Sequence, residues 1–518
     1  MTVDNPMPAV NEASQEPAAI ATEIRTAVRH SAVYGLGNVL AKGVGFLMLP
    51  FYTHYLARAD YGVLEILDLS MSLVGMFVNM GIGAALLRSY AGAQSETEKK
   101  KTVSTAFIFI TASSLLLSLL GAGLIRPASG LLFGPKVPAT YLLISFSSLI
   151  LGYISTLPRT YLRALDASGT LVTLDTVCLF VVLSLNILFI GVLHIGLIGI
   201  LLSTLIVNAV QTVVLGFWTL RKTGLGFRSA YLRDMVSFGS PLILANLAVF
   251  ALNFSDRFFL QHLRSLEMVG VYAVGYKIGF MINYMLISPF LTMWQSRMFA
   301  IQKQPDSSSI FRQLFVLYSA LLTYAALGIS ILSPEIVHIM VAPEFSASQN
   351  VIPVVALAYV IWGIGYYVQA GMLLTNHTKR IGAISIGAVM LNLMLNYGLI
   401  SQFGMMGAAW ATLLSFLATA AAYYFFSQRA YPLPLAVGRV TGSIILAVVL
   451  FAACQWCAPG STWLSLLLRG AVLVVFPALL WRLRLVSAEE VATVLSIKES
   501  VLASMGRWAG SRTVVSVD

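Results

Sequence analysis

The feature that most constrains this chain is a series of long apolar segments, each separated from the next by a short polar loop. A helix needs about 20 apolar residues to cross a bilayer, and lipid offers the backbone no hydrogen-bond partners, so such segments must be helices. Hydrophobic residues make up 58% of the 518 and charged residues only 10%, which excludes an ordinary soluble domain. About fourteen transmembrane helices are predicted, near residues 31–56, 63–87, 103–125, 141–162, 170–194, 196–220, 239–260, 270–293, 314–333, 350–375, 382–401, 404–427, 438–458 and 462–481.

The distribution of Lys and Arg predicts the topology. Basic residues concentrate in the N-terminal segment, the even-numbered loops and the C-terminal segment, whereas the odd-numbered loops hold few: Arg58, Arg126, Lys136 and Arg264. Because basic loops remain in the cytoplasm, both termini are predicted to be cytoplasmic. The polar residues 1–29 are expected to form a disordered cytoplasmic leader.

An internal repeat relates the two halves of the chain. "GLIGILLSTL" (196–205) parallels "GMMGAAWATL" (404–413), and "HYLARADYGVL" (54–64) parallels "FFLQHLRSLEMVGVY" (258–272), at an offset of about 208 residues. Six helices per repeat is an even number, so the copies have the same orientation and a pseudo-two-fold axis along the membrane normal. The predicted fold is therefore all-α: an N-lobe (30–222), a C-lobe (223–430) and two further helices within 431–482, with a central cleft suited to alternating access.

The C-terminal segment 483–518 has a pattern of its own. "SAEEVATVLSIKESVLASMGRW" opens with a capping box formed by Ser487 and Glu490, and apolar residues follow at helical spacing. An amphipathic helix on the cytoplasmic face is predicted, with a disordered tail as the alternative.

Two lysines stand within the apolar helices, where a charge costs about 3 kcal/mol on insertion scales. Lys42 has Gly35, Asn38 and Gly45 on its helical face, so this face is predicted to point at a cavity or another helix. Lys277 lies about two turns into the eighth predicted helix, in the second half of the chain. Each half thus contributes a lysine to whatever lies between the halves.

Further ionisable residues expected to be buried in the predicted helices are Asp68, with Glu65 nearer the surface, Asp175, Asp256, Arg257 and Arg469. Two interpretations stay open. The charges form neutral interhelical pairs, such as Lys42 with Asp68 or Arg257 with a neighbouring carboxylate. Alternatively, cations exceed the carboxylates deep in the central helices, and the surplus positive charge faces a cavity and binds an anionic substrate.

Several function classes have no signature in the sequence. The six histidines show no metal-ligand spacing, and no nucleophile elbow or P-loop is present, so no metal, no cofactor and no ATP-driven step within this chain are predicted. Cys454 and Cys457 form a C-x-x-C inside an apolar segment, which favours helix packing over redox chemistry. The net charge of +11 indicates membrane topology, with no nucleic-acid partner.

The stretch "SAVYGLGNVLAKGVGFLMLPFYTHYLARADYGVLEIL" (31–67) resembles the first helix and loop of Wzx-type polysaccharide flippases, which belong to the multidrug/oligosaccharidyl-lipid/polysaccharide (MOP) exporter superfamily. "SDRFFLQHL…EMVGVYAVGYKIG" (255–279) looks like the helix 7 and 8 signature of the same family. The similarity extends over about residues 31–430. The resemblance implies a bacterial inner-membrane protein with two six-helix lobes that moves undecaprenyl-pyrophosphate-linked oligosaccharides, the repeat units of O-antigen or exopolysaccharide, to the periplasmic leaflet.

Roles for the charged residues follow from this resemblance. Lys42 and Lys277 are predicted to hold the pyrophosphate, and Arg88 and Arg257 to help attract or release it at the two ends. Asp68 and Asp175 are the candidates for coupling to H+ or Na+. The expected partners are the lipid-linked oligosaccharide, membrane lipids, and the polysaccharide polymerase and glycosyltransferases.

Four alternatives remain. "LAKGVGF" resembles the Ser-Arg-x-x-Gly-Phe of peptidoglycan-precursor flippases, but Lys42 replaces Arg, and Leu47 and Met48 stand where a second basic residue is expected. A multidrug antiporter of the same fold often carries an Asp in helix 1, where this chain has no carboxylate. A membrane polymerase or ligase needs a large periplasmic loop, and the longest odd-numbered loop, around 126–140, is short. The fourth is a scaffold role for a larger synthase.

Overall fold

The structure, a computed structural model, describes residues 46, 48–79, 81–457, 462–487 and 490. Across these residues the chain is helical, with no β-strand. The predicted all-α membrane fold is therefore confirmed, because apolar segments of this length satisfy their backbone groups only within helices. Lys42 lies outside the described residues, as does most of the predicted first helix, of which residues 48–55 are helical.

The described α-helices are numbered here in chain order. They are α1 (Arg58–Asn79), α2 (Ile82–Gly92), α3 (Glu96–Phe133), α4 (Ala139–Ala164), α5 (Ser168–Asn186), α6 (Leu197–Thr223), α7 (Ser229–Leu263), α8 (Leu266–Ile282), α9 (Ser288–Gln302), α10 (Ser307–Ile331), α11 (Ser333–Met340), α12 (Ile352–Val368), α13 (Ala370–Leu374), α14 (Thr378–Ala430), α15 (Val437–Trp456) and α16 (Thr462–Arg482). π-Helical turns, Ile187–Val192 and Asn283–Ile287, extend α5 and join α8 to α9.

Within the described residues, eleven helical segments are long and apolar enough to cross a membrane. Thr378–Ala430 contains both the eleventh and the twelfth predicted helices, which turn at Gly404 with φ 56° and ψ −131°, a conformation that only glycine adopts readily. Arg264 donates to the carbonyl oxygens of Ile400 (3.1 Å) and Ser401 (2.6 Å). These hydrogen bonds satisfy carbonyl groups at the C-terminal end of the preceding helix. The predicted number of membrane crossings stays a prediction.

The chain divides into two compact units, and the predicted lobe limits stay a prediction. Of the described residues, the first unit comprises those up to Phe51 and those within 67–246, and the second comprises 52–66 and those from Leu247 onward. In the first, α4 packs against α6 and α3, with Asn208 Nδ2 donating to Ser148 Oγ over 2.9 Å. In the second, α12 packs against α14, α10 and α8, around a buried aromatic core that includes stacked Trp294 and Tyr367.

In the second unit, α1 and α8 cross with their backbones in contact at Gly62 and Gly270. A Cβ added to Gly62 would overlap the carbonyl oxygen of Leu266, and one added to Gly270 would overlap that of Arg58. Gly62 and Gly270 are related by the offset of about 208 found in the sequence, and so are Arg58 and Leu266. The contact is therefore reciprocal, as at a local two-fold axis. The crossing places the side chains of the next turn of α1 against α8.

The C-terminal capping box is present in the described residues. Glu490 N donates to Ser487 Oγ over 3.3 Å, and Ser487 N donates to Glu490 Oε2 over 2.6 Å. Arg439 Nη1 on α15 also donates to Glu490 Oε1 over 3.0 Å. The remainder of the predicted amphipathic helix lies outside the described residues.

Candidate functional site

The candidate site is a cluster of four charged residues in the second unit. Glu65 lies on α1, Asp256 and Arg257 lie near the end of α7, and Lys277 lies on α8. Charged groups are rare in apolar helices because removing them from water is costly, so such a cluster marks a place where the fold needs charge.

Lys277 pairs with Glu65. Its Nζ lies 2.7 Å from Glu65 Oε2 and donates to the Tyr61 hydroxyl over 3.1 Å. The close crossing at Gly62 makes this contact possible, because Glu65 lies three residues further along α1, on the same helical face. The Glu65 side chain is 8% exposed, whereas the Lys277 side chain is 44% exposed. Lys277 therefore brings its charge to the accessible surface while its partner stays inside.

Arg257 is enclosed, with a side chain 1% exposed. Its Nη1 donates to Asp256 Oδ1 over 2.7 Å and to the Asn253 carbonyl oxygen over 2.9 Å. Tyr272 donates to the other Asp256 oxygen over 2.5 Å, and the Tyr276 ring centroid lies 3.8 Å from the guanidinium carbon, within range of a cation–π interaction. The guanidinium is thus held by α7 and α8 together.

Glu65 lies between the two cations. Its Oε2 contacts Lys277, and its Oε1 lies 3.9 Å from Arg257 Nε, which is beyond hydrogen-bond distance. This buried Nε has no hydrogen-bond partner among the described residues. Glu65 and Asp256 balance Lys277 and Arg257, so the cluster is formally neutral.

Tyrosine hydroxyls continue the polar cluster into the core. Tyr276 donates to the Asn253 carbonyl oxygen over 3.1 Å, and Tyr359 on α12 donates to Asn253 Oδ1 over 3.0 Å. The two hydroxyls lie 2.5 Å apart. All three residues are buried, so this network fixes the position of α7 against α8 and α12.

The other predicted site residues lie elsewhere or outside the described part. Arg88, Asp68 and Asp175 belong to the first unit. Arg88 is exposed and packs over the Phe238 ring at 4.7 Å from its centroid, while Asp68 is exposed on α1. Asp175 Oδ1 lies 3.0 Å from Arg159 Nη2. Lys42 lies outside the described residues. Of the described cations in the prediction, Lys277 and Arg257 come together around Glu65.

Sequence reasoning placed Glu65 near the surface and did not assign it a partner. The signal that could have found it is the spacing of Gly62 and Glu65, a small residue that allows close approach followed by a charge on the same face. Tyr272 and Tyr276 were also missed. Their separation of four residues places both on one face of α8, where they contact Asp256 and Arg257.

Chemically, the cluster has the groups for binding an anion. Lys277 offers an ammonium at the accessible surface, and its charge is compensated by a carboxylate that another anion could replace. Among the described residues, no group of three His, Cys, Asp or Glu side chains is arranged to hold a metal ion. Arg469, outside the repeat, pairs with Glu335 on α11, away from the cluster.

Solved structures share this fold. The lipid II flippase MurJ in an inward closed conformation superposes with a TM-score of 0.69 at 12% identity, covering 88% of this chain and 99% of that one. A multidrug resistance MATE family transporter of the MOP superfamily, in an inward-facing conformation, superposes with a TM-score of 0.60 at 13% identity, covering 76% and 94%. At these identities the likeness establishes the fold.

Sequence relatives give the family. The probable low-salt glycan biosynthesis flippase Agl15 of Haloferax volcanii is 25% identical over 169 residues, which span 32% of this chain and only 35% of that relative. Residues 27–294, more than half of the chain, match the family described as polysaccharide biosynthesis protein. This match confirms the family predicted from the opening stretch and from the helix 7 and 8 signature. The chain is a multi-pass membrane protein that belongs to the polysaccharide biosynthesis protein family.

Proposed function

We propose that this protein flips undecaprenyl-pyrophosphate-linked oligosaccharide repeat units from the cytoplasmic to the periplasmic leaflet of a bacterial inner membrane, by alternating access, with both termini cytoplasmic. Family membership supports a role in polysaccharide biosynthesis. The shared fold with a lipid II flippase supports movement of a lipid-linked substrate. The transporter folds of these relatives favour transport over an enzymatic step on the same lipid.

The observation that carries the proposal is the exposure of Lys277 beside a buried carboxylate. A lysine that served only to neutralise Glu65 would be enclosed with it, yet its side chain is 44% exposed while that of Glu65 is 8% exposed. A pyrophosphate is a compact polyanion, and an ammonium binds phosphate oxygens as a point charge. Lys277 is therefore the proposed contact for the pyrophosphate, with the glycan passing between polar surfaces and the prenyl tail remaining in lipid.

The other site residues take different roles in this proposal. Lys42 is the proposed second pyrophosphate ligand, and Arg88 attracts or releases the substrate at one end. Arg257 is 1% exposed, so it acts as a fixed charge behind Lys277 and Glu65. Asp68 and Asp175 are the proposed coupling residues for H+ or Na+. Contact with the polymerase and glycosyltransferases is also part of the proposal.

Gene deletion followed by analysis of lipid-linked oligosaccharides and surface polymer tests the proposal. Undecaprenyl-linked repeat units should accumulate on the cytoplasmic side while the polymer is lost. Complementation with Lys42→Ala or Lys277→Ala should fail to restore the polymer at normal membrane abundance, whereas Lys303→Ala, an exposed loop lysine, should restore it. Unaltered polymer and lipid intermediates in the deletion strain would exclude this function.

A multidrug antiporter is the second candidate, favoured by the fold shared with a MATE family transporter and by the buried carboxylates of Glu65 and Asp256. Carboxylates are the groups that bind organic cations or a coupling proton. Deletion would then change drug sensitivity and leave the surface polymer and its lipid-linked precursors unchanged.

A further inference from the structure

The Glu65 carboxylate has two cationic partners but is hydrogen-bonded to only one. Oε2 lies 2.7 Å from Lys277 Nζ, whereas Oε1 lies 3.9 Å from Arg257 Nε. That Nε is buried and has no hydrogen-bond partner among the described residues. An unsatisfied buried donor costs about 1–3 kcal/mol, and a shift of the carboxylate by about 1 Å toward Arg257 would bring Oε1 within hydrogen-bond distance of this Nε.

The two cations differ in their freedom to move. Arg257 is fixed by Asp256, by the Asn253 carbonyl oxygen and by the Tyr276 ring. Lys277 contacts Glu65 and Tyr61 at the end of a flexible side chain that is 44% exposed. An anion that approaches the cluster therefore reaches the Lys277 ammonium, and Arg257 remains behind Glu65.

We propose that Glu65 is an internal substitute for the anionic substrate: it holds Lys277 while the site is empty, and a diphosphate that binds Lys277 displaces the carboxylate onto Arg257 Nε. This inference rests on the proposed function and adds to it the residue that selects for substrate charge. A phosphate oxyanion beside Lys277 repels the Glu65 carboxylate, and the vacant Nε–H receives it. The displaced carboxylate thus keeps a charged partner instead of being left alone in an apolar interior.

Selection against weakly charged lipids follows from this exchange. A ligand must attract Lys277 more strongly than a carboxylate at 2.7 Å does. A diphosphate carries enough charge for this, and a neutral polyprenol carries none. Glu65 therefore lowers the affinity of Lys277 for any anion, and for a diphosphate the new contact with Arg257 recovers only part of this loss.

Binding of undecaprenyl diphosphate to the purified full-length protein, in nanodiscs of neutral lipid, tests this exchange. Because Gln keeps the shape of Glu without its charge, E65Q should bind the probe at least about fivefold more tightly than the wild type, within the usual range of coupling between sites. K277M should lose binding, and the double variant E65Q/K277M should match K277M, because Glu65 acts on the ligand through Lys277.

The matched control is E335Q, which removes the carboxylate of the Arg469 pair in the same unit and should leave binding unchanged. If E65Q does not fold, Glu65→Asp withdraws the carboxylate by one methylene and should give a smaller gain in affinity. Undecaprenol, the neutral probe, should bind wild type and E65Q equally.

The outcomes separate the inference from the proposed function. Wild-type protein that binds the diphosphate and loses it in K277M, with no gain in E65Q or Glu65→Asp, overturns the role of Glu65 and leaves the proposed function standing. A gain in E65Q that persists in E65Q/K277M also overturns it, because the effect would not pass through Lys277. Absence of diphosphate binding in the wild type and in every variant overturns both.

Discussion

The Lys277 ammonium lies 2.7 Å from the Glu65 carboxylate, so a cation of α8 and an anion of α1 meet where the two helices cross. The contact depends on the crossing at Gly62 and Gly270, where the two backbones touch. The ion pair therefore depends on the close packing of α1 and α8. Charge and packing can be tested separately, by substitutions at Lys277 and at Gly62.

Lys277→Arg and Lys277→Met separate charge from size. Lys277→Arg keeps the positive charge and the pair with Glu65. It should support surface polymer at a reduced level, because a planar guanidinium replaces the compact ammonium. Met should support none. Surface polymer in the deletion strain, normalised to membrane abundance by immunoblot, checks both. Equal polymer from the two variants would show that the charge is dispensable.

Asp256→Asn should destabilise the protein strongly. It removes the carboxylate that pairs with Arg257 at 2.7 Å, and breaking a buried ion pair on one side costs about 3–5 kcal/mol. Asp175→Asn is the matched control, since its pair with Arg159 is 43% exposed at the carboxylate and such pairs contribute about 0–1 kcal/mol. Thermal unfolding in detergent measures the difference, and similar midpoints for the two variants would contradict the prediction.

Gly62→Ala should force α1 and α8 apart. The added Cβ would overlap the backbone carbonyl oxygen of Leu266, and backbone cannot move aside as a flexible side chain can. Overpacking typically costs about 1–3 kcal/mol, and the separation also moves Glu65 from Lys277, so both the unfolding midpoint and the surface polymer should fall. Gly398→Ala on α14, where a Cβ meets nothing within 4 Å, should leave both measurements unchanged.

Tyr359→Phe tests the hydroxyl network behind the charged cluster. It removes the donor to Asn253 Oδ1 and leaves a buried acceptor short of a partner, at a cost of about 1–3 kcal/mol. Tyr397→Phe, on a side chain that is 64% exposed, should cost almost nothing. A guanidinium or urea unfolding series of the two variants compares them, and an unshifted midpoint for Tyr359→Phe would show that water satisfies Asn253.

The Arg469–Glu335 pair should be structural. Removing Arg469 alone leaves a carboxylate without its cation and should lower stability, whereas the double variant R469M/E335Q should recover most of the loss, because replacing both partners of a buried pair is often nearly neutral. Surface polymer should stay normal in the double variant. Loss of polymer from a stable double variant would give this pair a role in transport.

The sequence by itself determined the fold class and the family. Apolar segments of bilayer length can satisfy their backbone hydrogen bonds in lipid only as helices. The all-helical membrane fold is confirmed in the described residues. The family is confirmed, and the stretches 31–67 and 255–279 that carried the resemblance lie within the matched range of 27–294. The repeat offset of about 208 relates Gly62 to Gly270, but their reciprocal backbone contact became visible only in the structure.

The partners of the charges were decided only by the tertiary structure. Lys277 and Arg257 could be recognised as costly cations in apolar helices, but Glu65 lies far from both along the chain, and no periodicity relates them. The hydrophobic pattern of a helix indicates which of its faces is buried. The distance between two helices depends instead on where small residues allow their backbones to come into contact. That contact at Gly62 places Glu65 beside Lys277, and it selects Glu65, rather than Asp68 three residues later, as the carboxylate of the site.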